Sequence, residues 1–255
     1  MPLGQFLNGK IYRGVLTGLN DAFVIDAATR DRLIAEDPRS VEVIKPFFEG
    51  KHVKRYGQPS GKFLILFKKG WTIEIAGAKL PENDAWELVR QRFPAITDQL
   101  ELYASKGKAR SDQGDYWWEL RACDYYDAFE VPHIVTPSFS MYPALTLDRN
   151  NSYSNNKTTI IGSDEKWLLA ILNSKISGYV IRNISSIKRG GWFDFEPRYL
   201  TQIPIVEPDA EVKAQLDELV EGRLAGDESV EAEINRIVYG LYGLTEEEIG
   251  IVEGR

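Results

Sequence analysis

Cysteine and histidine are nearly absent from this chain: its 255 residues include one Cys, Cys123, and two His, His52 and His133. A single thiol forms no internal disulfide, which suits a reducing cytoplasm. One Cys and two His also fall short of a structural zinc site. Nucleophilic hydrolysis needs Ser or Cys beside an oriented base, and neither histidine stands in a nucleophile motif. Cys123, set in an aromatic segment, reads as a small buried residue. Apolar runs of eighteen residues are missing, which excludes a helical membrane span, and residues 1–10 lack a signal-peptide pattern. The expected setting is therefore the cytoplasm. Phosphate-cradling glycine loops are missing as well, both the G-x-x-x-x-G-K-[ST] type and a G-x-G-x-x-G between strand and helix, so Gly190-Gly191 reads as a turn.

Two carboxylate patterns invite a catalytic reading. Pro208-Asp209 and Glu211-Val-Lys213 supply the letters of a PD-(D/E)xK nuclease site. Such a site draws its acids from adjacent strands so that they converge on Mg²⁺. Here the acids are two apart at a predicted helix start, where they favour the dipole. Asp112, Asp115 and Glu119, near Trp117 and Trp118, would suit glycoside chemistry if their separation were set, but polar loop residues beside an aromatic core give the same pattern.

Net positive charge is also lacking, the formal net charge being -7. This weighs against nucleic acid until its distribution is considered, because Lys and Arg supply most non-specific DNA affinity. Residues 207–255 hold 14 acidic and 4 basic side chains, leaving 27 basic and 24 acidic in residues 1–206. Within that body, residues 45–70 carry Lys45, Lys51, Lys54, Arg55, Lys62, Lys68 and Lys69 against one acid, Glu49. Such a run can follow a phosphate backbone, and it can equally be a solvated face.

The patterning predicts an α+β fold: a mixed, sheet-containing body over 1–206 with an acidic helical extension over 207–255. Two short strands around a Gly-rich turn are expected over 10–26, a helix over 29–36, and a buried strand over 63–67. Trp86, Val89, Phe93, Ile96, Leu100 and Tyr103 recur at helical spacing, with a break expected at Pro94. Residues 106–116 read as an exposed loop, 133–136 and 158–161 as strands, and 164–181 as one deeply buried helix. A turn at Gly190-Gly191 precedes an apolar segment over 203–206. Two helical stripes follow, Val212 to Leu224 and Val230 to Leu241, joined at Gly226. Gly243 is placed to end the second, and Thr245-Glu-Glu-Glu248 fits a capping box.

Several segments, in this order, resemble the TaqI-like C-terminal specificity domain of type IIG restriction-modification enzymes and adenine-specific DNA methyltransferases. They are Gly14-Val-Leu-Thr-Gly-Leu-Asn-Asp-Ala-Phe-Val-Ile-Asp26, Ile44-Lys-Pro-Phe-Phe-Glu-Gly-Lys-His-Val-Lys-Arg-Tyr56, Trp118-Glu-Leu-Arg121 with Pro132-His-Ile-Val135, Leu168-Leu-Ala-Ile-Leu-Asn-Ser174, Tyr199-Leu-Thr-Gln-Ile-Pro-Ile205, and the helical ending from Ile237 to Ile249. His133 stands where many relatives have lysine. The resemblance implies a DNA target-recognition module without catalysis of its own. Its partners would be double-stranded DNA and an amino-terminal methyltransferase or nuclease portion of the same enzyme. S-adenosylmethionine and Mg²⁺ would be held by those catalytic domains and no cofactor by this chain. The Asn/Asp-Pro-Pro-aromatic loop of such methyltransferases is missing here, as is any Pro-Pro pair, so the sequence reads as a carboxyl-terminal portion.

A module of this kind holds the duplex through phosphates and reads base edges. The candidates are Lys51, Lys54, Arg55 and Tyr56; Lys188, Arg189 and Trp192 beside the glycine pair; Lys106, Lys108 and Arg110 as a third loop; and Asn155 or Asn156 for adenine. Tyr56 and Trp192 suit core packing equally well. A protein-interaction scaffold without DNA binding is the alternative of a different class, and a carbohydrate-active enzyme a third.

Overall fold

A computed structural model describes residues 1–59 and 61–255. Its strands, numbered in chain order, form three small sheets. The first is antiparallel throughout, in the order β1 (Ile11–Arg13), β9 (Thr158–Ile161), β5 (His133–Pro137), β7 (Thr146–Asp148). The second runs β2 (Val24–Ile25), β4 (Lys62–Ile65), β3 (Ile44–Phe48), β8 (Tyr153–Ser154), with β3 and β8 parallel. The third is β10 (Ile187–Lys188), β11 (Trp192–Asp194), β6 (Phe139–Ser140).

The first sheet is buried on both faces because its central strands are apolar at consecutive positions. Strand alternation sends Val135 and Ile160 to one core and their neighbours Ile134 and Ile161 to the other. The core on one side gathers Phe23, Phe47, Phe67, Phe93, Trp117 and Trp118 beneath the second sheet and the helices Ala27–Glu36, Glu82–Arg92 and Pro94–Glu101. The other core packs Leu3, Leu168, Ile171 and Leu200 with Leu216, Val220, Ile234 and Val238 of the C-terminal helices. The acidic tail is thus docked by its apolar stripe: the helices Ala210–Leu224 and Glu231–Tyr242 bury it against Lys166–Asn173 and Lys175–Ile184.

Several helix ends follow from their capping residues. The Asp26 side chain accepts from Thr29 N and starts Ala27–Glu36 two residues before the expected position. Pro94 splits the amphipathic stretch at Phe93, as its ring requires. The expected helix over 164–181 is two helices, because Ser174 ends the first by donating to Ile171 O and begins the second by accepting from Ser177 N. Gly243 and the reciprocal Thr245–Glu248 box take the predicted places. Residues 203–206 form no strand; Ile203 and Ile205 bond instead to Leu3 and Met1 along an extended segment. Strand β3 escaped the sequence reading because of Pro46, which is tolerated because β8 pairs only Phe47 and Phe48. No helix among the described residues is long and apolar enough to cross a membrane.

Candidate nucleic-acid interface

The three sheets meet at one cleft of about 640 Å³. The parallel pairing of β3 with β8 lays the turn carrying Lys51 and Lys54 beside the turn carrying Lys157. Gly50 makes this approach feasible, since a Cβ there would lie 2.3 Å from Lys157 O. Asn155 Oδ1 locks the two turns together by accepting from Gly50 N at 3.2 Å and Lys157 N at 3.2 Å. Ser138 then hangs the third sheet from the same point: its N–H donates to Lys157 O and its carbonyl accepts from Phe195 N, both at 2.8 Å. Pairing of Phe193 with Ser140 places Trp192 beside Met141 on the far wall.

The charged side chains that line the cleft are all cationic. Lys51, Lys54, Arg55, Lys157 and Arg223 line it, and no Asp or Glu does among the described residues. Lys54 and Lys157 have no carboxylate within 4.0 Å among those residues, whereas Lys51 bonds to Glu49 at 2.6 Å. That pair, exposed on the lysine side and largely covered on the glutamate side, holds the Glu49 carboxyl below its ordinary range through the lysine hydrogen bond. Large apolar groups stand on the opposite wall, with Met141 54 %, Tyr142 59 % and Trp192 45 % exposed.

The structure corrects three of the predicted contacts. Tyr56 is only 2 % exposed, its ring lying between the guanidinium groups of Arg55 at 5.6 Å and Arg223 at 5.3 Å. It is a core residue and its hydroxyl is pushed up by burial. Arg55 lies in the cleft floor, mostly buried, and is bound to Glu231, which also holds Arg223 at 2.9 Å. It is a structural cation more than a free phosphate clamp. Arg110 is not in an exposed loop; residues Ala104–Ala109 form a short helix, and the Arg110 guanidinium bonds to the carbonyls of Thr17, Trp117 and Glu119 above the Phe23 ring. Burial pushes Arg110 down to about 10.

The remaining candidates divide by location. Lys106 and Lys108 lie on that short helix and do not line the cleft, Lys108 pairing with Glu82 at 2.8 Å. Asn155 and Asn156 line a neighbouring pocket of about 390 Å³ with residues 15–21. Lys188 and Arg189 are exposed at the β10–β11 turn, where Gly190 and Gly191 adopt φ of +87° and +78° that L-residues rarely take. Lys45 and Lys68 of the basic run face Glu130 instead, at 3.8 and 3.7 Å. Sequence reading missed Lys157, Met141, Tyr142 and Arg223. Lys157, a cation closing an Asn- and Ser-rich turn, carried a usable signal; the others become neighbours only through sheet pairing.

The acids proposed for sugar chemistry have other work. Glu119 is 0 % exposed and accepts from Gly70 N, Thr72 N and Asp115 N at 3.0, 2.9 and 2.9 Å. Asp112 pairs with Arg121 and Asp115 with Lys79. His133, also 0 % exposed, cannot reach a phosphate from the surface. Among the described residues no three of His, Cys, Asp and Glu converge as metal ligands.

Comparison with known proteins agrees with this architecture. The chain is 25% identical over 177 residues to the Type II methyltransferase M.XhoI of Xanthomonas vasicola, covering 67% of this chain and 32% of that protein. A solved structure, described as that of the Type IIL restriction-modification enzyme MmeI in complex with DNA, shares the fold at a TM-score of 0.61 and 13% identity, covering 96% of this chain and 33% of MmeI. The chain thus spans about a third of the length of each relative. The model of the TaqI-like C-terminal specificity domain matches residues 45–205, a stretch that includes both walls of the cleft. By that match over more than half its length, the chain belongs to the TaqI-like C-terminal specificity domain family.

Proposed function

We propose that this chain is the DNA target-recognition module of a restriction-modification enzyme and that duplex DNA lies along the basic cleft. One observation carries the reading: Lys51, Lys54 and Lys157 converge, beside the Glu231-bound Arg55 and Arg223, on a cleft that no carboxylate lines among the described residues, in a chain whose total charge is negative. A protein otherwise short of positive charge has concentrated it where three sheets meet. Polyanion attraction scales with local potential, not with the sum over the molecule. The membership of a specificity family and the DNA-bound state of MmeI support the same reading.

In this proposal the chain performs no chemistry. Methyl transfer, with S-adenosylmethionine, and any Mg²⁺-dependent cleavage belong to catalytic domains that the relatives' greater length would accommodate. Residues 1–206 carry recognition, and residues 207–255 serve as a helical extension that buttresses the cleft floor through Arg223 and Glu231. Salt-dependent binding of a labelled duplex tests the central claim. Affinity should fall steeply between about 50 and 200 mM salt as counterions are released. Lys54→Glu and Lys157→Glu should each weaken binding to all sequences and flatten the salt slope by about one unit. Affinity indifferent to salt and to both reversals would exclude the cleft as the DNA surface.

A further inference from the structure

The two walls of the cleft differ in chemistry, and the difference follows from strand register. In an antiparallel sheet, residues directly opposite share a face. Lys188 pairs with Trp192, and the β11–β6 register, Phe193 with Ser140, sets Trp192 beside Met141. Lys188 and Trp192 therefore share one face of the third sheet, and Met141, the first residue past β6, lines the cleft together with Trp192. Phe139, two residues from Met141, lies on this face too, with Lys188 Nζ 5.7 Å from its ring centre. The alternate row places Ile187 opposite Phe193, on the other face. Among the described residues, twelve large apolar side chains are exposed, and three of them, Met141, Tyr142 and Trp192, line this one cleft. Such concentration calls for an occupant, and Lys51, Lys54 and Lys157 of the cleft specify a polyanionic one.

Resting on the reading of the cleft as a DNA site, we infer that its walls divide the work: Lys51, Lys54 and Lys157 grip phosphates, while Trp192 and Met141, with Tyr142, contact base edges in the major groove and chiefly the thymine C5-methyl. A two-stranded ribbon fits that groove, and the β10–β11 ribbon closes on the turn Arg189-Gly190-Gly191, two of whose three residues add no side-chain width. The methyl is the one apolar mark that a base pair displays there, and only an apolar wall distinguishes it from uracil. Phosphates, by contrast, offer no apolar surface to a thioether or to the face of an indole.

The test uses the full chain and selection from randomised duplexes, followed by replacement of each selected thymine by deoxyuridine. The unaltered protein should lose about tenfold in affinity at one or two thymines. Trp192→Ala and Met141→Ala should lose that discrimination while keeping the salt slope. Ile187→Ala, on the opposite face of the same ribbon, should behave as the unaltered protein and control for ribbon folding. Tyr142→Ala, lying outside the ribbon pairing, provides a second probe if Trp192→Ala unfolds. Salt-dependent binding with no loss on any thymine replacement would overturn the division of walls and leave the cleft a DNA site. Absence of salt-dependent binding would remove both.

Discussion

Arg110 illustrates how a single side chain can look like a ligand contact and be a staple. Its guanidinium ties the loop at Thr17 to Trp117 and Glu119, three carbonyls that no other described side chain serves in the same way. Arg110→Ala should cost about 2–4 kcal/mol in denaturant unfolding, the range for buried acceptors stripped of a charged donor. Arg110→Lys should recover little, since an ammonium lacks the planar fork. His133 makes a pH prediction. Buried, with Nδ1 2.9 Å from Val131 O and Nε2 3.9 Å from Asp148, it is held below its ordinary 6.5, burial outweighing Asp148 and the carbonyl. The unfolded chain then takes up the proton first. Stability from this group is present above about pH 6.5 and lost as pH falls towards the folded value. Melting temperature should drop between about pH 7 and pH 5. His133→Gln, less stable overall, should flatten that part of the profile; an unchanged profile would mean that His133 does not titrate there.

Single elements are held by backbone approach and by caps. The junction of the β3 and β8 turns depends on Gly50, where a methyl group would press on Lys157 O. Gly50→Ala should separate Lys51 and Lys54 from Lys157 and weaken DNA binding beyond its effect on stability. Asn155→Ala, which removes the bridging amide while leaving both backbones free to meet, should act in the same direction but less. Thermal melts beside binding isotherms separate the two effects. The β10–β11 turn requires left-handed backbone at Gly190 and Gly191, so replacing both by alanine should disorder the hairpin and with it Trp192. At the C-terminus the Thr245–Glu248 box closes the last helix, and Thr245→Ala should cost about 1 kcal/mol without touching the cleft.

For the whole molecule, the relevant fact is that the acidic tail shares a core with the body. Leu216, Val220, Ile234 and Val238 are buried with Leu168 and Ile171, and Asp217 accepts from Trp167 N at 2.8 Å. Ending the chain at Val206 would expose that apolar surface and remove Arg223 from the cleft floor. The truncated chain should be aggregation-prone or melt far below the full chain. Within the full chain, Leu216→Ala should cost about 2–5 kcal/mol, as large-to-small changes in packed cores do. A stable, DNA-binding 1–206 fragment would show that the tail is dispensable.

Periodicity and local chemistry made much of this legible without coordinates. Helical stripes, the Pro94 break, the Thr245 box, the glycine turn and the short apolar strands at 63–67, 133–136 and 158–161 are encoded within a few residues, where propensity and capping act. So was the basic run over 45–70, and with it Lys51 and Lys54. Which of those cations face a common cleft is a question of long-range pairing, and no local signal answers it: β3 with β8 brings in Lys157, and β6 with β11 brings in Met141 and Tyr142. Burial was equally hidden. Arg55, Tyr56 and Arg110 differ from Lys54 by a few positions or by composition alone, yet they are committed to Glu231, to the core and to backbone carbonyls that only the folded chain assembles. Residue type records what a side chain can bond to; the packing of distant segments selects the partner, because burial leaves each polar group no alternative but the acceptor at hand.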